Sequence, residues 1–195
     1  MAKRLARRSV FGGLAGLILC GAAPADSVLD AGRWAVVRES SSITLSVRAL
    51  GANHAGRFGD WSGDIRFDPE RPEQARVAIN VRAASLRMEQ TALTNRATGP
   101  AFLDTTAHPE IRFQLRSLEP LAPDRFTARA DVTVKGRTRP VVFPVTLRVQ
   151  GDAAQMSGGF SLDRAAYDIG TSGPWNGMIA RQVRVDVSLA TRRVA

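Results

Sequence analysis

The chain has 195 residues, 44% of them hydrophobic, with 27 basic and 18 acidic side chains and one cysteine. That length and balance suit one folded domain and exclude a low-complexity or disulfide-stapled chain. The positive excess is moderate and scattered, which argues against nucleic acid and admits anionic partners such as a phosphate head group or a membrane surface.

Residues 1–25 read as a secretory signal peptide. Lys3, Arg4, Arg7 and Arg8 make a basic start, residues 10–19 an apolar run, and Ala23-Pro24-Ala25 a small-x-small cleavage pattern. The apolar run is about ten residues, well short of the roughly 20 that cross a bilayer. Arg7-Arg8 before Ser9-Val10-Phe11 leaves twin-arginine export open beside the general route. Cys20 has Leu17 three residues ahead of it, but the bulky Leu19 directly before it speaks against a lipid acceptor. The expectation is cleavage after Ala25, a periplasmic location, and a cysteine-free domain over 26–195. The signal holds four basic residues and no acidic one, so the remainder carries 23 basic against 18 acidic groups, +5. Lys135 is the only lysine in that remainder.

From there the pattern is alternation with a period of two. A first strand is expected over 34–38. Ile43, Leu45 and Val47 then alternate with Thr44, Ser46 and Arg48, and Gly51-Ala52-Asn53 reads as a turn. A third strand is expected over 58–67. Val77, Ile79 and Val81 alternate with Ala78, Asn80 and Arg82. Residues 83–102 break the rhythm: Ser85, Leu86, Met88, Glu89, Ala92 and Leu93 begin a short helix that Gly99-Pro100 ends. This longest connection is either a lid over a barrel mouth or a plain surface helix plugging one end. Alternation resumes at Ile111, Phe113 and Leu115, then at Phe126, Ala128 and Ala130, then from Val141 to Val149. Phe160 with Leu162, and Val183, Val185, Val187 and Leu189, complete the series. Such runs are half-buried strands.

Asp68-Pro69, Arg71-Pro72, Pro123-Asp124, Lys135-Gly136 and Gly151-Asp152 punctuate the runs with turn chemistry. No strand–helix–strand rhythm occurs, so the fold class is all-β. About eight antiparallel strands suggest a closed barrel, a size that can hold one small ligand. Phe67, Phe113, Phe126, Phe143 and Phe160 share the apolar face while arginines mark the other. Arginine facing lipid would cost about 2–4 kcal/mol at mid-bilayer, so the charged face belongs in water and the aromatic face inside.

The sequence offers little chemistry. Neither His54 nor His108 has a second ligand at metal spacing. No nucleophile elbow and no glycine-rich phosphate loop occurs. Asp60 and Asp64, flanking Trp61, read as strand-edge residues rather than paired catalytic carboxylates. No cofactor, metal or enzymatic activity is expected, and a bound lipid is compatible with the pattern.

Particular strings resemble the YceI-like family of lipocalin-shaped, polyisoprenoid-binding proteins, over about 34–189. They are Trp34; Ser41-Ser42-Ile43-Thr44-Leu45-Ser46-Val47; Gly56-Arg57-Phe58; and Trp61-Ser62-Gly63-Asp64-Ile65-Arg66-Phe67-Asp68-Pro69-Glu70. Further on come Phe102-Leu103-Asp104, His108-Pro109-Glu110-Ile111-Arg112-Phe113, the stretch from Asp131 to Val141, and Gly159-Phe160-Ser161-Leu162-Asp163-Arg164 with Tyr167 and Ile169. The chain departs from the family pattern at Ser40, Ala49, 94–97, Ala166 and Tyr167.

The resemblance implies an antiparallel eight-stranded lipocalin-like barrel with an apolar cavity for a polyisoprenoid or similar amphiphile. The residues expected to line it are Ile43, Leu45, Val47, Phe58, Phe67, Ile79, Phe102, Ile111, Phe113, Phe126, Phe143, Leu147, Phe160, Leu162 and Val185. Arg164 and Arg57 are the candidates for holding a head group, since arginine pairs strongly with phosphate. Burying one isoprene unit gains roughly 3–4 kcal/mol, at about 0.8 kcal/mol per methylene. Two alternatives stand beside this carrier: a stress-related or assembly factor with a mostly filled barrel acting through a protein partner, and an enzyme acting on an isoprenoid-like molecule.

Overall fold

Alternation is realised along eleven strand segments. The computed structural model describes residues 32–194, so the signal-peptide reading of 1–25 lies outside the described residues. The segments are β1 (Arg33–Val36), β2 (Ser42–Ala49), β3 (Ala52–Phe58), β4 (Trp61–Arg66), β5 (Arg76–Arg82), β6 (Leu86–Met88), β7 (Glu110–Ala122), β8 (Arg125–Val134), β9 (Arg137–Gln150), β10 (Ala153–Asp163) and β11 (Ile179–Arg193). One α-helix, α1 (Thr91–Thr98), lies between β6 and β7.

The eleven segments trace eight paths. β1 and β2 both pair with β11, interrupted by a 3-10 turn at Arg38–Ser40. β4 pairs with β1 and β5, while β3 pairs with β2 and β6. β5 and β6 are likewise one path broken by the 3-10 turn Ala83–Ser85. β5 then pairs with β7, and β7 through β11 follow in chain order. Every pairing is antiparallel and the last strand returns to the first, closing the barrel. Hydrogen bonds to Ser41 bridge the first break: its hydroxyl donates to Val37 O at 2.7 Å and accepts from Ala190 N at 3.0 Å.

The meander gives the barrel two unlike ends. One, called lower here, carries the short turns at 123–124 and 151–152, the 67–75 connection and both described termini. Trp34 seals it: the indole is 2% exposed, donates to Phe67 O at 2.8 Å and packs on the Phe67 ring at 6.0 Å. The upper end carries the β2–β3 hairpin, the 89–109 connection, the 135–136 turn and the 164–178 connection.

Several boundaries shift by a few residues: the strand expected over 58–67 is realised as β3 and β4, from Ala52 to Arg66. The helix expected to begin near Ser85 starts at Thr91, because Leu86 and Met88 continue the third path beside β3. Ala52 and Asn53 are strand rather than turn. Leu50 and Gly51 alone make the turn, both at positive φ (51° and 82°), as a two-residue primed hairpin requires.

The β9–β10 ladder is incomplete. It joins 145–150 to 153–158 and stops there. Leu147 N donates to Asp124 O on the β8 side, so alternate residues, Pro140 and Pro144 among them, turn their backbone nitrogens toward β10. Proline has no N–H to offer. Above the last pair, the 3-10 turn Arg164–Tyr167 follows β10 and buries both Arg164 and Tyr167.

Candidate functional site

Three chambers lie in file along the barrel axis and shrink from the upper end downward, at about 470, 130 and 60 Å³. Leu45, Leu103, Arg164, Ile169 and Val183 border both the upper and the middle chamber and form the neck between them. Val77, Phe113, Phe143, Met156 and Leu189 border both the middle and the lower one. Arg164 and Tyr167 apart, every side chain lining the middle chamber is apolar. Phe113, Phe143 and Phe160 cluster across it with centroids 4.9–6.4 Å apart. Leu45, Phe113, Leu162, Val183 and Val185 face inward yet stay only half-buried, which a fully filled core would not allow.

Fourteen of the fifteen expected residues border a chamber. Ile43, Leu45, Phe58, Ile79, Ile111, Phe113, Phe143, Phe160, Leu162 and Val185 line the middle one. Val47 and Phe102 line the upper chamber, and Phe67 and Leu147 the lower. Phe126 lines none of them. It sits on the apolar face as expected, but low in β8, where it is buried in the core cluster that includes Leu118 and Val145.

The two head-group arginines are placed otherwise than expected. Arg57 alternates with the buried Gly56 and Phe58, so it stands on the outer face, where it donates to Ser41 O at 3.0 Å. Arg164 is at the right end of the barrel but is 2% exposed. Its Nε donates to Ala180 O, Nη1 to Ile169 O and Gly170 O, and Nη2 to Asn176 O and Ile179 O, all at 2.8–3.1 Å. The guanidinium therefore clamps the 164–180 backbone instead of presenting donors to the cavity. Burial lowers its pKa from the usual arginine value, partly offset by neighbouring Asp163.

Other groups on or beside this loop are shifted as well, Tyr167 and Asp163 among them. Burial raises the Tyr167 phenol to about 12. A hydrogen bond from Arg181, at 2.6 Å, keeps the Asp163 carboxyl below its ordinary value, helped by the Ala165 N–H it caps.

The upper chamber also has a wall outside the expected lining residues, built largely from the 83–102 connection that the sequence reads as a lid or a plug. His54, Leu86, Met88, Gln90, Leu93, Arg96 and Ala97 line it, with Ala49 and Leu50 at its edge. Counting the period of two backward from Phe58 would have put His54 on the inner face, opposite Val47 in the ladder. The family departures at Ala49 and 94–97 fall on this same wall. The chamber is thus apolar in bulk, with His54, Gln90 and Arg96 as polar groups on its wall. Such a shape suits an amphiphile whose chain points down the barrel and whose polar end stays up.

A family model described as the YceI-like domain matches residues 34–191. A protein named UPF0312 from Pseudomonas fluorescens is 27% identical over 157 residues, 75% of this chain and 78% of that one. Another, from Pseudomonas savastanoi pv. phaseolicola, is 26% identical over 142 residues, 68% and 70% of the two chains. Among solved structures, BcnA of Burkholderia cenocepacia superposes with a TM-score of 0.75 at 21% identity, covering 80% of this chain and 98% of its own. A polyisoprenoid binding domain from Saccharophagus degradans, implicated in plant cell wall breakdown, superposes at 0.69 and 12% identity, covering 84% and 99%.

Proposed function

The chain belongs to the YceI-like family, and from that premise we propose that it is an exported carrier that holds a polyisoprenoid or similar amphiphilic lipid in its barrel. The observation that carries this reading is the tapering file of apolar chambers, wide and polar-walled above, narrow and sealed below. Export rests on the basic–apolar–small-residue order of 1–25, and the periplasm is its proposed destination. The likeness of fold to the polyisoprenoid binding domain supports the ligand class.

The proposed ligand enters chain first through the neck at Leu45 and Val183. Its polar end rests in the upper chamber among His54, Gln90 and Arg96. Each methylene buried gains about 0.8 kcal/mol, set against ordering of the chain. The Phe113–Phe143–Phe160 cluster narrows the middle chamber, so a long chain must turn these rings aside to reach further. That same cluster favours the second reading, a mostly filled barrel that works through a protein partner.

Organic extraction of the protein purified from its native host, followed by mass spectrometry, separates the two. The carrier yields a lipid in about one copy per protein by the single-cavity argument. Leu45→Trp, which fills the neck, is expected to abolish co-purification while leaving the fold intact by circular dichroism. A lipid-free extract from the native protein, or undiminished lipid in Leu45→Trp, would overturn the carrier reading.

A further inference from the structure

The hairpin tip at the mouth contradicts the rule that the other turns obey. The turn at 135–136 has the same pair of positive φ angles, 49° and 71°, and fills its first position with lysine. At 123–124 the tip is Pro-Asp, and at 151–152 it is Gly-Asp. At 50–51 the first position holds leucine, at φ 51° and 68% exposed. A branched apolar side chain is disfavoured there twice, by the backbone and by water. Asparagine would suit both.

Leu50 does not stand alone. Its N–H donates to Met178 O at 3.0 Å, and Met178 is itself 47% exposed. The two form an apolar rim beside the upper chamber, which Leu50 also borders. The upper end carries a basic excess: residues 41–59, 89–109, 134–140 and 164–186 hold Arg48, Arg57, Arg96, Lys135, Arg137, Arg139, Arg164, Arg181 and Arg184 against Glu89, Asp104, Asp168 and Asp186. Arg181 and Arg184 pair with Asp163 and Asp186, while Arg48, two residues from the tip, belongs to none of the described ion pairs.

We propose that the Leu50–Met178 rim is a docking edge for a bilayer rich in anionic lipid. The two apolar side chains enter the acyl region while Arg48 meets phosphates, so the mouth opens directly onto the source of its ligand. Binding of this kind scales with apolar area inserted plus attraction to anionic head groups. The inference rests on the carrier reading for its purpose but not for its test.

Flotation of the full chain with phosphatidylglycerol vesicles, against phosphatidylcholine vesicles, provides that test. Residues 1–31 are the same in every variant, so differences between variants report the rim. The chain is expected to float with phosphatidylglycerol, less so as salt rises. Leu50→Asn with Met178→Gln should weaken this about tenfold by the apolar area lost, and Arg48→Ser should weaken it and flatten the salt dependence. Leu50→Asn suits the turn, so the variant folds. Leu121→Asn, at the lower end and 62% exposed in the parent, should change nothing.

Undiminished flotation of the double variant, no flotation of the parent, or equal loss in Leu121→Asn would overturn the docking edge. So would a dimer in sedimentation that the double variant breaks, which would make a second copy the occupant. Flotation that depends on the rim, from a chain whose extract holds no lipid, would support the edge and remove the carrier.

Discussion

Two connections cover the same end of the barrel by opposite means. The 164–178 connection is held by a buried guanidinium that donates to five backbone carbonyls, two of them on β11. It buries Tyr167, and Gly170 lies where a Cβ would come within 2.7 Å of the Phe102 ring, at a φ of 59°. The 89–109 connection buries no residue of α1. Its bonds mostly close on itself, such as Leu103 N to Ala97 O and Asp104 N to Gly99 O. Its ties outward include Gly170 N to Ala101 O and Ala83 N to Pro109 O. One half of the cover is therefore fixed by desolvated hydrogen bonds, and the other rests on the wide chamber through a few half-buried side chains. Opening at lowest cost belongs to the α1 half.

The sharpest way to break this contrast is to remove the clamp. Arg164→Met leaves several buried carbonyls without donors and should lower stability by about 3–5 kcal/mol in urea unfolding. Arg164→Lys should fall between, since an ammonium has three donors and no planar fork. An unchanged midpoint in either would mean that the loop is held by something else.

Next in size is an alkaline transition. Tyr167 is the only tyrosine, so absorbance of the phenolate reads it directly. Its pKa is raised from 10.0 to about 12 on folding. The folded chain binds that proton more tightly, so the stabilisation is whole below pH 10 and is lost as pH rises toward 12. The loss amounts to roughly 2–3 kcal/mol. Tyr167→Phe should remove this slope from a stability-against-pH curve, and phenolate appearing near pH 10 in the folded protein would contradict it.

On the α1 side, Leu93→Ala should cost only about 1 kcal/mol, because the side chain is half-buried. It should nonetheless speed loss of a bound lipid, and amide exchange across 91–98 should outpace that of Ile169 and Gly170. The smallest effect concerns Asp163. Its pKa is held below 3.8, so its contribution is present above that value and fades as pH falls beneath it. Asp163→Asn should flatten the acid limb of the same curve.

Most of the barrel was readable because a period of two is a property of neighbouring residues. Phe113 and Val185 announce their face by what stands on either side of them. What escaped was set by partners distant in sequence. Arg164 reads in the sequence as a head-group donor, and only the fold shows the backbone at 169–180 wrapped around it. Arg57 attracts attention by preceding Phe58 at a strand start, but its parity with Phe58 sets it on the opposite face. The wall formed by α1 gives only a faint signal, since its eight residues bury nothing and just Ala92, Leu93, Arg96 and Ala97 border the chamber. Phe126 had the right parity but lies too low in its strand, and depth along a barrel axis leaves no mark in the alternation.

The prolines of β9 reach beyond the native barrel. Where the β9–β10 ladder stops, an ordinary strand would expose a row of donors and acceptors, inviting another chain to add a strand there. Pro140 and Pro144 delete two of those donors on that side, while the β8–β9 ladder, which uses the opposite nitrogens, runs unbroken from Thr146 to Arg137. The unpaired length is thereby a poor template for intermolecular pairing. Two missing hydrogens are thus a built-in guard against aggregation.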